Sequence, residues 1–217
     1  MSKINTIKNT SGKELYNYQK IAIEEIFQRF DNAANDYHLL YQLPTGGGKT
    51  VIFSEIVRRY ISKYNKKVLV LTHRIELSKQ TSNMLGEFGV PNKIINSTAN
   101  LDDQDNYHCF VAMVETLKNR LTDDKLDISD IGLVIVDEAQ NLTKGELTTI
   151  LTRFGRNSKY IVLGDGKQSD VKQSGFKNVF DKFDSHECED KGIHAFKFGN
   201  EEIVRSKILR FICERLG

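Results

Sequence analysis

Apolar residues follow two alternating rhythms along this chain, and the points where one gives way to the other outline its elements. From Tyr18 to Phe30 they recur at Ile21, Ala22, Ile26, Phe27 and Phe30, a helical stripe. Tyr37–Leu43 is a short apolar run that predicts a buried strand, and Gly46, Gly47 and Gly48 break it. Thr50–Tyr64 returns to the helical rhythm with Ile52, Phe53, Ile56, Val57, Tyr60 and Ile61. Lys67–Thr72 and Ile131–Val136 are nearly unbroken runs of β-branched residues and leucine, as expected of parallel strands covered on both faces. Further strands are expected at Lys93–Asn96, Tyr107–Ala112, Tyr160–Leu163 and Ile193–Phe198. Helices are expected at Arg74–Phe88, Met113–Leu121, Leu142–Phe154, Phe176–Phe183 and Glu201–Leu216.

Strands alternating with helices imply an α/β fold with a mostly parallel sheet and helices on both faces. The chain has 217 residues and only two prolines, Pro44 and Pro91, with no Gly/Pro/Ser-rich linker. A single domain over 15–217, preceded by a flexible stretch at 1–14, is the economical expectation. The polar stretch Asn96–Asn106 is expected to be a surface loop.

Composition narrows the partners only slightly. A formal charge of +2, from 31 basic and 29 acidic side chains, neither demands nor excludes nucleic acid, so any basic patch must be local. No apolar run approaches the roughly twenty residues of a membrane span, and the N-terminal residues are too polar for a secretory signal. Cys109, Cys188 and Cys213 are far apart and form no CxxC pair, as expected of reduced thiols in a cytoplasmic protein.

The chemistry concentrates in two short segments. Leu43-Pro44-Thr45-Gly46-Gly47-Gly48-Lys49-Thr50 lies between a predicted strand and a predicted helix. Thr45, Gly46, Gly47 and Gly48 offer backbone N–H groups that can turn inward around phosphate oxygens, and the helix start adds its positive end. Lys49 can then reach the β- and γ-phosphates of ATP, and the Thr50 hydroxyl can hold Mg²⁺. The strict pattern wants glycine where this chain has Leu43. The second segment, Asp137-Glu138-Ala139-Gln140, ends a buried strand. Strand ends of an open parallel sheet gather on one edge, so Asp137 can approach the metal and Glu138 the attacking water as general base.

Two weaker signals join them. Gln168, in Gly164-Asp165-Gly166-Lys167-Gln168 after the next strand, is placed to sense the γ-phosphate. Gln19, near Tyr18, carries an amide able to pair with both N6 and N7 of adenine and so to favour ATP over GTP.

From Leu15 to Glu138 the chain resembles the first motor domain of superfamily-two helicases of the DEAD/DEAH-like group. The resemblance rests on Leu15…Tyr18-Gln19, Pro44–Thr50, Thr72-His73-Arg74-Ile75-Glu76-Leu77 with Gln80, Val114-Glu115-Thr116-Leu117, and Asp137-Glu138-Ala139. It implies a RecA-like P-loop fold and, through the second and third internal motifs, contacts from His73, Arg74 and Thr116 to a DNA or RNA backbone. Beyond Glu138 the pattern departs from that group: Gln140 stands at the fourth position, and no Ser-Ala-Thr triplet follows. Instead Asp137–Asn141, Leu151–Gly155, Ser158-Lys159, Gly164-Asp165…Gln168, Ser174-Gly175-Phe176 and Glu202–Arg205 resemble the PhoH-like ATPases. The chain reads as a mosaic of two related folds joined at a shared strand-Asp-Glu-Ala element.

The combined expectation is a Mg-dependent ATPase stimulated by nucleic acid. A second motor domain, which completes the site in helicases, has no counterpart in these residues. PhoH-like proteins complete the site with a neighbouring copy, so the resemblance implies a homo-oligomer as one solution, with Arg153, Arg156 and Arg205 as candidate arginine fingers in cis or in trans. Two alternatives stay open: an ATP-dependent nucleic-acid-binding switch with negligible hydrolysis, and a helicase half that needs a partner chain.

Overall fold

The protein, as a computed structural model, is described over residues 9–32, 38–42, 48–100, 102–122, 130–153, 158–165 and 174–197. In chain order the elements are α1 (Asn17–Asn32), β1 (His38–Gln42), α2 (Lys49–Tyr64), β2 (Lys67–Thr72), α3 (Ile75–Glu87), β3 (Asn92–Ile95), β4 (Cys109–Met113) and α4 (Val114–Thr122). They continue with β5 (Ile131–Val136), α5 (Lys144–Arg153), β6 (Lys159–Gly164), α6 (Gly175–Phe183), α7 (His186–Asp190) and β7 (Ile193–Lys197). The expected closing helix Glu201–Leu216 lies outside the described residues.

The seven strands form one sheet in the order β3-β4-β2-β5-β6-β1-β7, and every neighbouring pair is parallel. Period-two alternation splits each central strand between two cores. Val68, Val70, Leu133, Ile135, Ile161 and Leu163 face the layer of α1, α2 and α3. Leu69, Leu71, Val134, Val136, Tyr160 and Val162 face the layer of α4, α5 and α6. Both faces are dry, which is why β2 and β5 read as unbroken apolar runs.

Local chemistry explains where the elements stop. α2 ends at Asn65, which adopts a left-handed φ of 50° and returns its N–H to the Ile61 carbonyl. The apolar stripe predicts a helix from Leu142, yet α5 begins at Lys144. There the Thr143 N–H and hydroxyl both donate to Glu146 Oε2 at 2.8 Å, and the Glu146 N–H returns a bond to Thr143 Oγ1, a reciprocal cap. Residues Ala139–Asn141 form a separate 3₁₀ turn instead. The short α7, which the apolar pattern does not announce, is capped by Ser185 accepting from the Cys188 N–H. Of the stretch expected as a surface loop, 96–100 and 102–106 are irregular apart from a 3₁₀ turn at Gln104–Asn106.

Parallel pairing has one consequence for chemistry. The C-terminal ends of all seven strands lie along a single edge of the sheet. The segments after β1, β2, β4, β5 and β6 therefore converge there, although they are distant in sequence.

Candidate functional site

The order of strands decides which motifs meet. β6 lies between β1, which leads to the glycine-rich segment, and β5, which leads directly into Asp137 and Glu138. Lys49 opens α2 and is 7% exposed; its Nζ lies 3.2 Å from Glu138 Oε1. The ammonium is charge-paired at that distance but not aligned for a hydrogen bond with any described acceptor. Such a buried cation is electrostatically under-satisfied and suited to anionic oxygens. Residues 43–47, and with them the expected backbone cradle at Thr45, Gly46 and Gly47, lie outside the described residues.

Gly48, at the entrance to α2, has φ 69° and ψ 34°. A side chain there would be strained, and its Cβ would fall 2.6 Å from Gln19 Nε2. The sequence thus allows α1 to press its polar residue against the loop end. Gln19 is 2% exposed, and its Oε1 accepts from the Tyr16 N–H at 3.0 Å. The rings of Tyr16 and Tyr18 stack nearby with centroids 6.1 Å apart, and Tyr16 is exposed. Thr50, the second residue of α2, is half-buried.

Across the site, Asp137 directly follows β5 and is 5% exposed. Its N–H donates to the Leu71 carbonyl on β2, and its Oδ1 accepts from the Glu138 N–H at 3.0 Å. Burial pushes the Asp137 carboxyl up to about 6; nearby Lys49 opposes this and the Glu138 charge adds to it. Glu138 adopts φ 56° and ψ 39°, rare for a residue with a side chain. That turn aims its carboxylate at Lys49. Gln140 Nε2 donates to Glu138 Oε2 at 2.6 Å, while the Gln140 amide oxygen accepts from the Asp165 N–H at the end of β6.

The donors present fit a magnesium ion: Thr50 would offer one hydroxyl from the start of α2, and Asp137 one buried carboxylate near Lys49. A sparse oxygen set that leaves the other positions to water and phosphate is typical of magnesium. Gln168 belongs to 166–173, outside the described residues.

The residues with an expected nucleic-acid role sit on the same edge but on the other half of the sheet. His73 and Arg74 follow β2, and Thr116 lies in the first turn of α4 after β4. Arg74 is exposed, while His73 and Thr116 are half-buried. The turn after β2 is fixed from beneath: Thr72 Oγ1 lies 2.7 Å from Ser78 Oγ, so one hydroxyl donates to the other, and the accepting hydroxyl donates in turn to the Arg74 carbonyl. Arg153 closes α5, which runs from the C-terminal end of β5 back to the N-terminal end of β6. It therefore lies at the edge opposite the site. Arg156 and Arg205 lie outside the described residues.

One contact escaped the sequence analysis. Asn141 Nδ2 lies 3.2 Å from His73 Nε2 and 3.5 Å from Glu138 Oε2. Nothing in the pattern pairs positions so far apart; only the adjacency of β2 and β5 brings them together.

Known proteins align with this picture in two overlapping pieces. The family model described as "Type III restriction enzyme, res subunit" matches residues 12–165, and the model "PhoH-like protein" matches residues 126–216. IRC3 of Saccharomyces cerevisiae, a candidate ATP-dependent helicase by its name, is 29% identical over 192 residues, covering 85% of this chain and 26% of its own length. Protein PhoH of Escherichia coli is 37% identical over 87 residues, 39% of this chain and 22% of its own length. The chain thus spans about a quarter of the length of each of these relatives. The crystal structure of the Pyrococcus furiosus Hef helicase domain superposes with a TM-score of 0.61 at 19% identity, covering 86% of this chain and 38% of that one. This likeness shows the RecA-like fold.

Proposed function

The chain belongs to the family described as "Type III restriction enzyme, res subunit", a helicase-like P-loop group, and continues into a PhoH-like part; from that premise we propose that it is a Mg-dependent ATP hydrolase stimulated by nucleic acid. The observation that carries this reading is the approach of Lys49 Nζ to Glu138 Oε1 at 3.2 Å, beside the buried Asp137.

Each residue then has a definite task. Thr45, Gly46, Gly47 and Gly48 wrap the phosphates with backbone N–H groups, and Lys49 stabilises charge on the transferred phosphoryl group. Gln19 reads the adenine edge from its seat against Gly48. Magnesium, held by the Thr50 hydroxyl and the Asp137 carboxylate, would neutralise phosphoryl oxygens. Glu138 takes the proton of the attacking water, and Gln168 senses the γ-phosphate from the neighbouring loop. His73, Arg74 and Thr116 grip the phosphates of a DNA or RNA strand across the β3-β4-β2 half of the edge. A second copy supplies an arginine, with Arg153, Arg156 and Arg205 as the candidates.

One feature favours a second reading, an ATP-controlled binding switch with negligible hydrolysis: both Glu138 oxygens are occupied, by Lys49 and by Gln140. Phosphate release decides between the two. With single-stranded DNA or RNA present, Glu138→Gln is expected to keep ATP binding and to lower turnover by about 10²–10⁴-fold, the usual worth of a general base. Turnover unaltered by that substitution removes Glu138 from its role; a wild-type protein that binds ATP without releasing phosphate establishes the switch.

A further inference from the structure

Between the ATP half of the edge and the half assigned to nucleic acid, one side chain makes a bridge. Asn141 lies in the 3₁₀ turn after β5 and is 9% exposed. Its Nδ2 stands 3.2 Å from His73 Nε2 and 3.5 Å from Glu138 Oε2. One amide NH₂ has two hydrogens, enough to serve a ring nitrogen and a carboxylate oxygen together. The reverse orientation would set the amide oxygen against the ionised Glu138 carboxylate, so the donor assignment follows from charge.

Both ends of the bridge are rigidly mounted. On the β2 side, the buried Thr72 and Ser78 hydroxyls bond each other and one of them bonds the Arg74 carbonyl, bracing the turn that carries His73. On the β5 side, the Asp137 N–H bonds the Leu71 carbonyl and Glu138 is locked in the left-handed region. The Glu138 carboxylate lies between Lys49 at Oε1 and Gln140 and Asn141 at Oε2. A shift of His73 by a fraction of a hydrogen-bond length is therefore felt at Glu138 through one amide group. The bridge also spans the two family matches: His73 lies only in the first, whereas Asn141 lies in the overlap with the second.

We propose that Asn141 is a positioning residue that couples occupancy of the His73–Arg74 turn by a nucleic-acid phosphate to the orientation of the Glu138 carboxylate. The proposal rests on the ATPase reading above and adds to it the route by which a strand at one half of the edge alters turnover at the other. A phosphate bound at the His73–Arg74 turn shifts or polarises the His73 ring and so changes its hold on Asn141, and Asn141 then changes its share of Glu138 Oε2. Asn141 itself touches neither ATP nor the strand.

The test uses the full chain with Mg-ATP and two probes, oligo(dT) and oligo(U). Turnover with and without the stimulating oligonucleotide, KM for ATP, and oligonucleotide affinity are measured for wild type, Asn141→Ala and Asn141→Leu. The expected result is a stimulation ratio that falls to about one in both variants, while oligonucleotide affinity and KM for ATP stay within about twofold of wild type. A merely structural role would move affinity and KM together with the ratio, and that outcome overturns the proposal. Wild-type stimulation retained in both variants overturns it too. Wild-type turnover that neither oligonucleotide alters overturns the coupling while leaving the ATPase standing; absence of turnover in wild type brings down the ATPase reading first, and the coupling with it.

Discussion

Among the described site residues, Glu138 combines a left-handed backbone with a side chain, without the freedom of glycine. Conformations of that kind cost about 1–3 kcal/mol and persist only where surroundings over-determine them. Here the surroundings are Lys49, Gln140 and Asn141. The glycine-rich segment shows the complementary case at Gly48. Gly48→Ala forces a Cβ into the left-handed region at 2.6 Å from Gln19 Nε2. It is expected to lower stability by about 1–2 kcal/mol and to weaken ATP binding, read by thermal unfolding with and without Mg-ATP. Unchanged melting and affinity would show that Gln19 retreats at no cost. The glycines, Lys49 and the Asp137-Glu138 pair stand out in the sequence because they are chemically atypical where apolar runs end. Asn141 does not stand out: an asparagine in a polar turn looks like any other until the sheet order is known.

At the scale of elements, β2 and β5 were legible to the residue because both faces of the sheet are covered. The start of α5 was not, since the Thr143–Glu146 cap, rather than the apolar stripe, decides it. Packing between α5 and α6 leans on another small residue. A Cβ at Gly175 would lie 2.3 Å from the Lys144 backbone nitrogen, and backbone cannot step aside. Gly175→Ala is therefore expected to cost about 1–3 kcal/mol, the usual range for overpacking, visible as a lower midpoint in urea. On the other face, α1 and α2 are joined through charge. Glu55 on α2 is 3% exposed and accepts from Arg58 and Arg59, and Arg59 also bonds Glu24 on α1. Burial raises the Glu55 carboxyl, but the bonds from Arg58 and Arg59 outweigh it and hold it below its ordinary value. Because the folded value is depressed, this stabilisation is present above the ordinary carboxylate range and is lost as pH falls through the folded value. Glu55→Gln is expected to destabilise by about 2 kcal/mol at pH 7, with the wild-type and variant unfolding midpoints converging as pH falls below the ordinary carboxylate range. A gap that stays constant with pH would mean that the carboxylate charge contributes nothing.

On the scale of the whole molecule, the fold class followed from the alternation of strands and helices, whereas the order β3-β4-β2-β5-β6-β1-β7 did not. Alternation says that crossovers exist; it does not say how many strands each passes over. The crossover through α2 skips β6 and β5, which enter the gap between β1 and β2 later in the chain. That delayed insertion puts Asn141, from the overlap of the two family matches, between His73 and Glu138. The most direct measurement of the central claim, that Lys49 and the Asp137–Glu138 pair form one nucleotide site, is calorimetric titration of Mg-ATP into folded wild type, Lys49→Ala and Glu138→Gln. Saturable one-site binding is expected in wild type and in Glu138→Gln. In Lys49→Ala the expected affinity is lower by about 100-fold, the equivalent of ~3 kcal/mol for a lost charge-assisted contact. No binding in folded wild type, or equal binding in Lys49→Ala, would contradict the claim.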